Sequence, residues 1–160
     1  MMGVAGAGKT VAGRAIASTI GWRFADADDY HSEANKAKMA RGEGLTDADR
    51  GPWLAELRRL IADSIQRDDR LVVACSALKE TYRWDLVPPT APDGAVRFVY
   101  LDVPEDVLRE RLSERHGHYA GPSLLASQLA TLEKPHDALW VDGTCPVEEI
   151  VRRVRTELGV

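Results

Sequence analysis

Gly3-Val4-Ala5-Gly6-Ala7-Gly8-Lys9-Thr10 fits the pattern G-x-x-x-x-G-K-[ST] and stands between a short apolar start and a helical run that Gly21 closes. Three glycines let the backbone curl so that successive N–H groups point at an anion. The following helix begins with unsatisfied donors, Lys9 supplies a mobile cation, and Thr10 offers a hydroxyl to Mg²⁺. A nucleoside triphosphate is the guest this predicts, held by Gly3, Gly6, Ala7, Gly8, Lys9, Thr10 and Val11. A chance match in a Gly/Ala-rich turn would lack the helical run from Lys9 to about Ile20 that the motif needs behind it.

Outward from this loop, short apolar runs alternate with helical stretches. The runs are Met1 to Val4, Trp22 to Ala25, Leu71 to Cys75, Val96 to Leu101 and Leu139 to Val141. The alternation predicts βαβ units and an α/β fold with a mainly parallel sheet. Pro52 is expected to open a helix whose apolar positions Trp53, Leu54, Leu57, Leu60, Ile61 and Ile65 share one face and belong to the core. Further helices are expected from Pro104, with Val107, Leu108 and Leu112, and from about Pro146 to Leu158. The stretch from Pro88 to Gly94 reads as a connecting loop.

The bulk composition bounds the class. A chain of 160 residues fits one domain, and 44% hydrophobic with 29% charged residues is ordinary for a soluble globule. A net charge of −4 argues against a nucleic-acid surface, so the arginines must act locally. Cys75 and Cys145 show neither a zinc-site nor a redox spacing, which makes reduced thiols and a cytoplasmic location the expectation. No run is long and apolar enough for a membrane span, and no leader pattern is read.

Phe24-Ala25-Asp26-Ala27-Asp28-Asp29 places carboxylates just past the second strand, at the edge where open α/β sheets bind ligands. In extended geometry Asp26 and Asp28 share a face, one suited to Mg²⁺ and the other to the proton of a phosphate-accepting hydroxyl. An isolated acidic turn would favour simple solvation, and the phosphate loop reverses that weighting. Arg50, Lys79 and Arg83 recur where loops return to the same edge and would suit an acceptor bearing a carboxylate, although each alone reads as a surface charge. His31 is a candidate partner for an acceptor hydroxyl.

Arg109, Arg111 and Arg115 lie on one predicted helix, with Arg111 and Arg115 on a shared face before His116-Gly117-His118-Tyr119-Ala120-Gly121-Pro122. Two arginines ahead of a Gly-rich hinge suit a lid closing over phosphates, against the plainer reading of a helix surface paired with Glu105, Glu110 and Glu114. His116 and His118 have no third metal ligand at a suitable spacing.

Taken together, Asp26-Ala27-Asp28 with His31 and Asn35, the string from Lys38-Met39 through Thr46-Asp47-Ala48-Asp49-Arg50-Gly51-Pro52-Trp53-Leu54, and Cys75-Ser76-Ala77-Leu78-Lys79 with Tyr82-Arg83 resemble gluconokinase. This is the gluconate kinase of the shikimate-kinase-like P-loop group. The similarity continues through Arg111, Arg115, His118, Ser127-Gln128 and Leu132-Glu133. The resemblance implies a three-layer α/β/α P-loop kinase fold over residues 1–160, with about five strands and a mobile lid at approximately 115–133. It implies transfer of the ATP γ-phosphoryl group to the 6-hydroxyl of D-gluconate, with Mg²⁺, and a possible homodimer. On that pattern Lys9, Asp28 and Arg115 are catalytic. Arg111 and Arg115 lie on the nucleotide side, and Asp28, His31, Arg50, Lys79, Arg83 and His118 hold the sugar acid. Thr10 and Asp26 hold the metal, and the adenine is expected near Asp142 to Pro146.

Two departures stand out. Ala27 replaces the family's usual glycine, where a methyl could crowd the acceptor, and Ser32 replaces a proline. The strand entering the loop is also short, Met1 to Val4 at most, so its neighbours are expected to lack ladder partners at their far ends and a longer natural reading frame is expected. Two other functions remain: a kinase of another small hydroxy acid such as shikimate or a different aldonate, and a non-catalytic nucleotide switch. The N-K-x-D string typical of guanine switches is approached only by Asn35-Lys36-Ala37-Lys38, which ends in lysine.

Overall fold

The computed structural model describes residues 1–114 and 122–160. Helix α1 (Lys9–Ile20) leads to β1 (Arg23–Asp26), a 3₁₀ turn (Ala27–Tyr30), α2 (Glu33–Ala40) and α3 (Asp47–Gln66). Then come β2 (Leu71–Ala74), α4 (Glu80–Leu86), β3 (Val99–Asp102), α5 (Glu105–Ser113), α6 (Pro122–Thr131), β4 (Leu139–Asp142) and α7 (Val147–Leu158). Strands β1 and β2 pair in parallel, as do β3 and β4. Met1–Gly3 lies between the two pairs. The Met1 amine donates to the Val73 carbonyl at 2.8 Å, and Cys75 N–H donates to Met1 O at 3.0 Å. On the other side, Met2 N–H donates to Val99 O at 2.7 Å and Leu101 N–H to Met2 O at 3.0 Å. The first residues are thus the seam that joins the two strand pairs.

Period-two alternation sends side chains from the strands into two cores. Val72, Val99, Leu101 and Val141 face Ile16, Leu108, Leu112, Val151 and Val154 from α1, α5 and α7, and the fully buried Leu125 of α6 docks on this side. Met2, Cys75 and Tyr100 face Trp53, Leu54 and Leu57 of α3 and Tyr82 and Leu86 of α4. Helices on both faces of parallel strands give the expected α/β layering.

Three local expectations are corrected. Helix α3 starts at Asp47 and not at Pro52, because Thr46 and Asp49 form a reciprocal capping box that fixes the start one turn earlier and leaves Pro52 inside the helix. Residues 27–30 are not extended: Asp26 accepts from the Asp28 N–H and caps a 3₁₀ turn, so the alternation argument for Asp26 and Asp28 does not apply. The fourth apolar run enters the sheet at Val99, later than its apolar start at Val96. The substitutions noted above fit their places. The Ala27 methyl is fully buried in the core against α3, and Ser32 caps α2 by accepting from the Asn35 N–H at 3.2 Å.

At the amino ends of β2 and β3 a cavity of about 520 Å³ opens beside Met1, lined by residues that include Leu71, Val73, Phe98 and Val99. None of Thr10, Asp26, Asp28, His31, Arg50, Lys79 and Tyr82, whose chemistry gathers at the carboxyl ends of the strands, lines it. Among the described residues no helix is long and apolar enough to cross a membrane.

Candidate active site

The loop from Gly3 to Gly8 turns between the sheet seam and α1. Gly3 has φ of 138° and an added Cβ would stand 3.1 Å from the Leu101 carbonyl, so only glycine passes here. Gly8 is the N-cap of α1 at φ 92°, and no side chain caps the helix and no acid lies in its first turn. The helix therefore presents backbone donors and a positive dipole end to an anion. The Lys9 ammonium donates to Val4 O at 3.0 Å, folding the cation over the loop, and Val11 is exposed on the first turn.

Thr10 Oγ1 donates to Asp26 Oδ2 at 2.7 Å, and Asp26 Oδ1 accepts from the Asp28 N–H at 3.1 Å. A hydroxyl and a carboxylate side by side at a phosphate loop fit Mg²⁺, which keeps several waters and needs only one or two protein oxygens beside the phosphates. Asp28 is exposed, with its Oδ1 4.0 Å from His31 Nε2. His31 is buried and stacked on Trp53 at 4.4 Å between ring centroids. Its Nδ1 has no hydrogen-bond partner among the described residues. Burial, with Arg50 and Lys36 nearby, pushes its pKa down to about 4, so the ring is neutral at pH 7. Trp53 in turn donates its indole N–H to Ala27 O at 2.7 Å, tying α3 to the acidic turn.

Arg50 sits one turn further along α3 than its cap and donates to the Tyr82 hydroxyl at 3.3 Å. Lys79 donates to both carboxylate oxygens of Asp47 at 3.0 and 2.9 Å, and the Tyr82 hydroxyl donates to the same carboxylate. The hydrogen bond from Tyr82, then that from Lys79, holds the Asp47 pKa below the usual range. Thr10, Asp26, Asp28, His31, Arg50, Tyr82 and Lys79 thus form a continuous arc from the phosphate loop to a cationic patch.

Arg83 lies beneath that patch and not in it. Its side chain is buried, and its Nη1 donates to the carbonyls of Ala77, Leu78 and Glu133 at 3.2, 3.4 and 3.1 Å. Charged residues default to the surface in a sequence reading, and no local signal announces acceptors that come from two distant loops. Arg111 on α5 reaches the phosphate loop: Nη2 donates to Gly143 O at 2.9 Å and Nη1 to Gly6 O at 3.4 Å. Arg115 and His118 lie outside the described residues.

Three contributors were not assigned from sequence. Gln128 Oε1 accepts from the Ala5 N–H at 2.7 Å, so α6 braces the phosphate loop directly. Glu133 accepts from the Glu80 N–H at 2.6 Å and its own N–H donates to Leu78 O at 2.9 Å, fixing the loop that carries Lys79. Asp49, the other acid of the D-x-D string, is pinned by Lys38 at 2.8 Å and by Thr46, which pulls its pKa down to about 2.

A phosphate loop with a metal-suited hydroxyl–carboxylate pair, a carboxylate and a cationic patch along one sheet edge define a P-loop kinase of the small-molecule type. The shikimate kinase family model matches residues 5–140. A gluconokinase from Gluconobacter oxydans is 40% identical over 164 residues, covering 98% of this chain and 90% of its own. A sugar kinase structure from a Janibacter species aligns with a TM-score of 0.89 at 41% identity, over 99% of this chain and 92% of that one. A gluconokinase structure from Sinorhizobium meliloti aligns at 0.85 and 42% identity, over 99% and 89%. The chain belongs to the gluconokinase family within the shikimate-kinase-like P-loop kinases.

Proposed function

We propose that this chain transfers the γ-phosphoryl group of ATP to the 6-hydroxyl of D-gluconate, giving 6-phospho-D-gluconate and ADP. The observation that carries the reading is the arc itself, in which Asp28 stands between the phosphate-loop pair Thr10–Asp26 and the cations Arg50 and Lys79. The identity to gluconokinases over nearly the whole chain supports the acceptor.

In this reading Gly6, Ala7, Gly8 and Lys9 cradle the β- and γ-phosphates, and Arg111 keeps the loop and the 143 turn at a fixed separation. Thr10 and Asp26 would hold Mg²⁺, which would supply positive charge against the phosphates. Arg50 and Lys79 take the carboxylate end of the acceptor, and His31, neutral and buried, offers a hydrogen bond to a hydroxyl. Asp28 accepts the proton of the 6-hydroxyl as its oxygen forms the new bond to phosphorus. The bond from phosphorus to the bridging oxygen breaks with its electron pair going to ADP. Arg83 braces the 77–79 turn instead of touching substrate. On the family pattern Arg115 would serve the nucleotide and His118 the sugar acid, and the enzyme would work as a homodimer in the cytoplasm. A coupled ADP-release assay tests the assignment: gluconate should drive turnover at least about 10²-fold faster than shikimate or other sugar acids, in line with loss of paired polar contacts by a wrong acceptor. Equal rates would reassign the acceptor.

A further inference from the structure

Two aspartates stand two residues apart at the head of α3 and are held in different ways. Asp49 is locked by Lys38 Nζ on both oxygens, by the Thr46 N–H and by the Thr46 hydroxyl, and its side chain is 19% exposed. Asp47 is 66% exposed, and it engages both cations assigned to the acceptor, Lys79 Nζ and, at 3.7 Å, Arg50 Nη1, together with the Tyr82 hydroxyl. A carboxylate of the chain itself thus sits on the donors assigned to the carboxylate of the substrate.

We propose that Asp47 is the acceptor-selecting residue of this enzyme, an internal carboxylate that a substrate carboxylate must replace on Lys79 and Tyr82. This rests on the proposed gluconate-kinase reading. The exchange is cheap. An exposed ion pair contributes little net stability, and Asp47 is the first residue of α3, so once released its charge still lies at the positive end of the helix. The capping box does not depend on it, since Thr46 and Asp49 close that box between themselves. A neutral polyol has nothing to displace Asp47 with, whereas an anion recovers the charge-assisted hydrogen bonds that Asp47 gives up. Selection for a sugar acid over a neutral sugar then comes from competition for the same donors as well as from attraction.

The test is Asp47→Asn, with Asp47→Glu as the charge-retaining control. Removing the competing charge should lower the gluconate KM by roughly three- to tenfold, the span of an exposed to charge-assisted pair, with the ATP KM unchanged and Asp47→Glu close to the parent. The same variant should bind gluconate that much more tightly in calorimetry without nucleotide. A fall smaller than threefold, no change, or a rise overturns the proposal, a rise placing Asp47 on the substrate itself. If Asp47→Asn is poorly folded, Asp47→Ser is read by the same two measurements. Should the parent show no gluconate-dependent ADP release, the functional reading fails by itself, while calorimetry with sugar acids on parent and variant still decides the role of Asp47.

Discussion

The nucleotide half and the acceptor half of the site are built from different materials. Around Gly3 to Thr10 the work falls to main-chain geometry: positive φ at Gly3, Gly6 and Gly8, a helix start without a side-chain cap, and carbonyls that Lys9 and Arg111 hold in place. Around Arg50, Lys79 and Tyr82 it falls to side chains that neutralise one another, with Asp47 at their centre. A loop made from backbone is ready for any triphosphate, whereas a patch made from paired side chains is ready only for a ligand able to re-pair them. Generality on one side and selectivity on the other follow from that difference.

The comparison is broken most severely by Asp28→Asn, which keeps shape but removes the carboxylate proposed as proton acceptor between the halves. Turnover should fall on the order of 10²- to 10⁴-fold with the ATP KM within about twofold, measured by steady-state kinetics. A silent Asp28→Asn with a crippled Asp26→Asn would exchange their roles. Lys9→Ala removes the phosphate-loop cation from the backbone-built half and should lower turnover on the order of 10²- to 10³-fold while the circular-dichroism spectrum persists. Near-normal turnover would put Lys9 outside the site.

Arg83→Met separates support from binding on the acceptor side. It strands three carbonyls, those of Ala77 and Leu78 buried and that of Glu133 partly so, and a loss of about 2–4 kcal/mol in urea unfolding is expected, with the gluconate KM of the folded enzyme changed less than about threefold. A selective rise in that KM at unchanged stability would return Arg83 to the substrate. The smallest effect belongs to the seam beneath the phosphate loop. Burial lowers the Met1 amine from 8.0 to about 6, so the folded state prefers it neutral and the unfolded chain binds more protons between those values. Stability is fully present above pH 8 and is lost as pH falls from 8 through about 6, by about 3 kcal/mol. Extending the chain before Met1 by a few β-branched residues should flatten this pH dependence and raise the Tm by a few degrees. A pH-independent Tm in the unextended chain would contradict the buried amine.

What the sequence disclosed follows the same division. The phosphate loop, α1 and the βα alternation were legible because glycine spacing and apolar runs encode backbone shape locally. The acceptor half was legible in residue type but not in arrangement. Arg50 and Lys79 are brought together, yet Arg83 is buried because its acceptors come from residues 77, 78 and 133, a tertiary fact without a local signature. The start of α3 was missed although Thr46 and Asp49 carried the capping signal, because Pro52 looked like a first-turn proline. Short α2 and α4 went unread, each too brief to show a helical period, and the 3₁₀ turn was hidden because Asp26 competes with the strand for the Asp28 N–H.

The seam at Met1–Gly3 also orders the folding of the molecule. These residues are separated from their β2 partner Val73 by 72 positions and from β3 by still more. The β1–β2 and β3–β4 pairs close over shorter spans and can form as independent halves, each waiting for the same three residues to join it to the other. No fragment ending before Val99 contains both neighbours of the seam, so a continuous sheet, and with it a phosphate loop held from both sides, is a late event in the assembly of this chain.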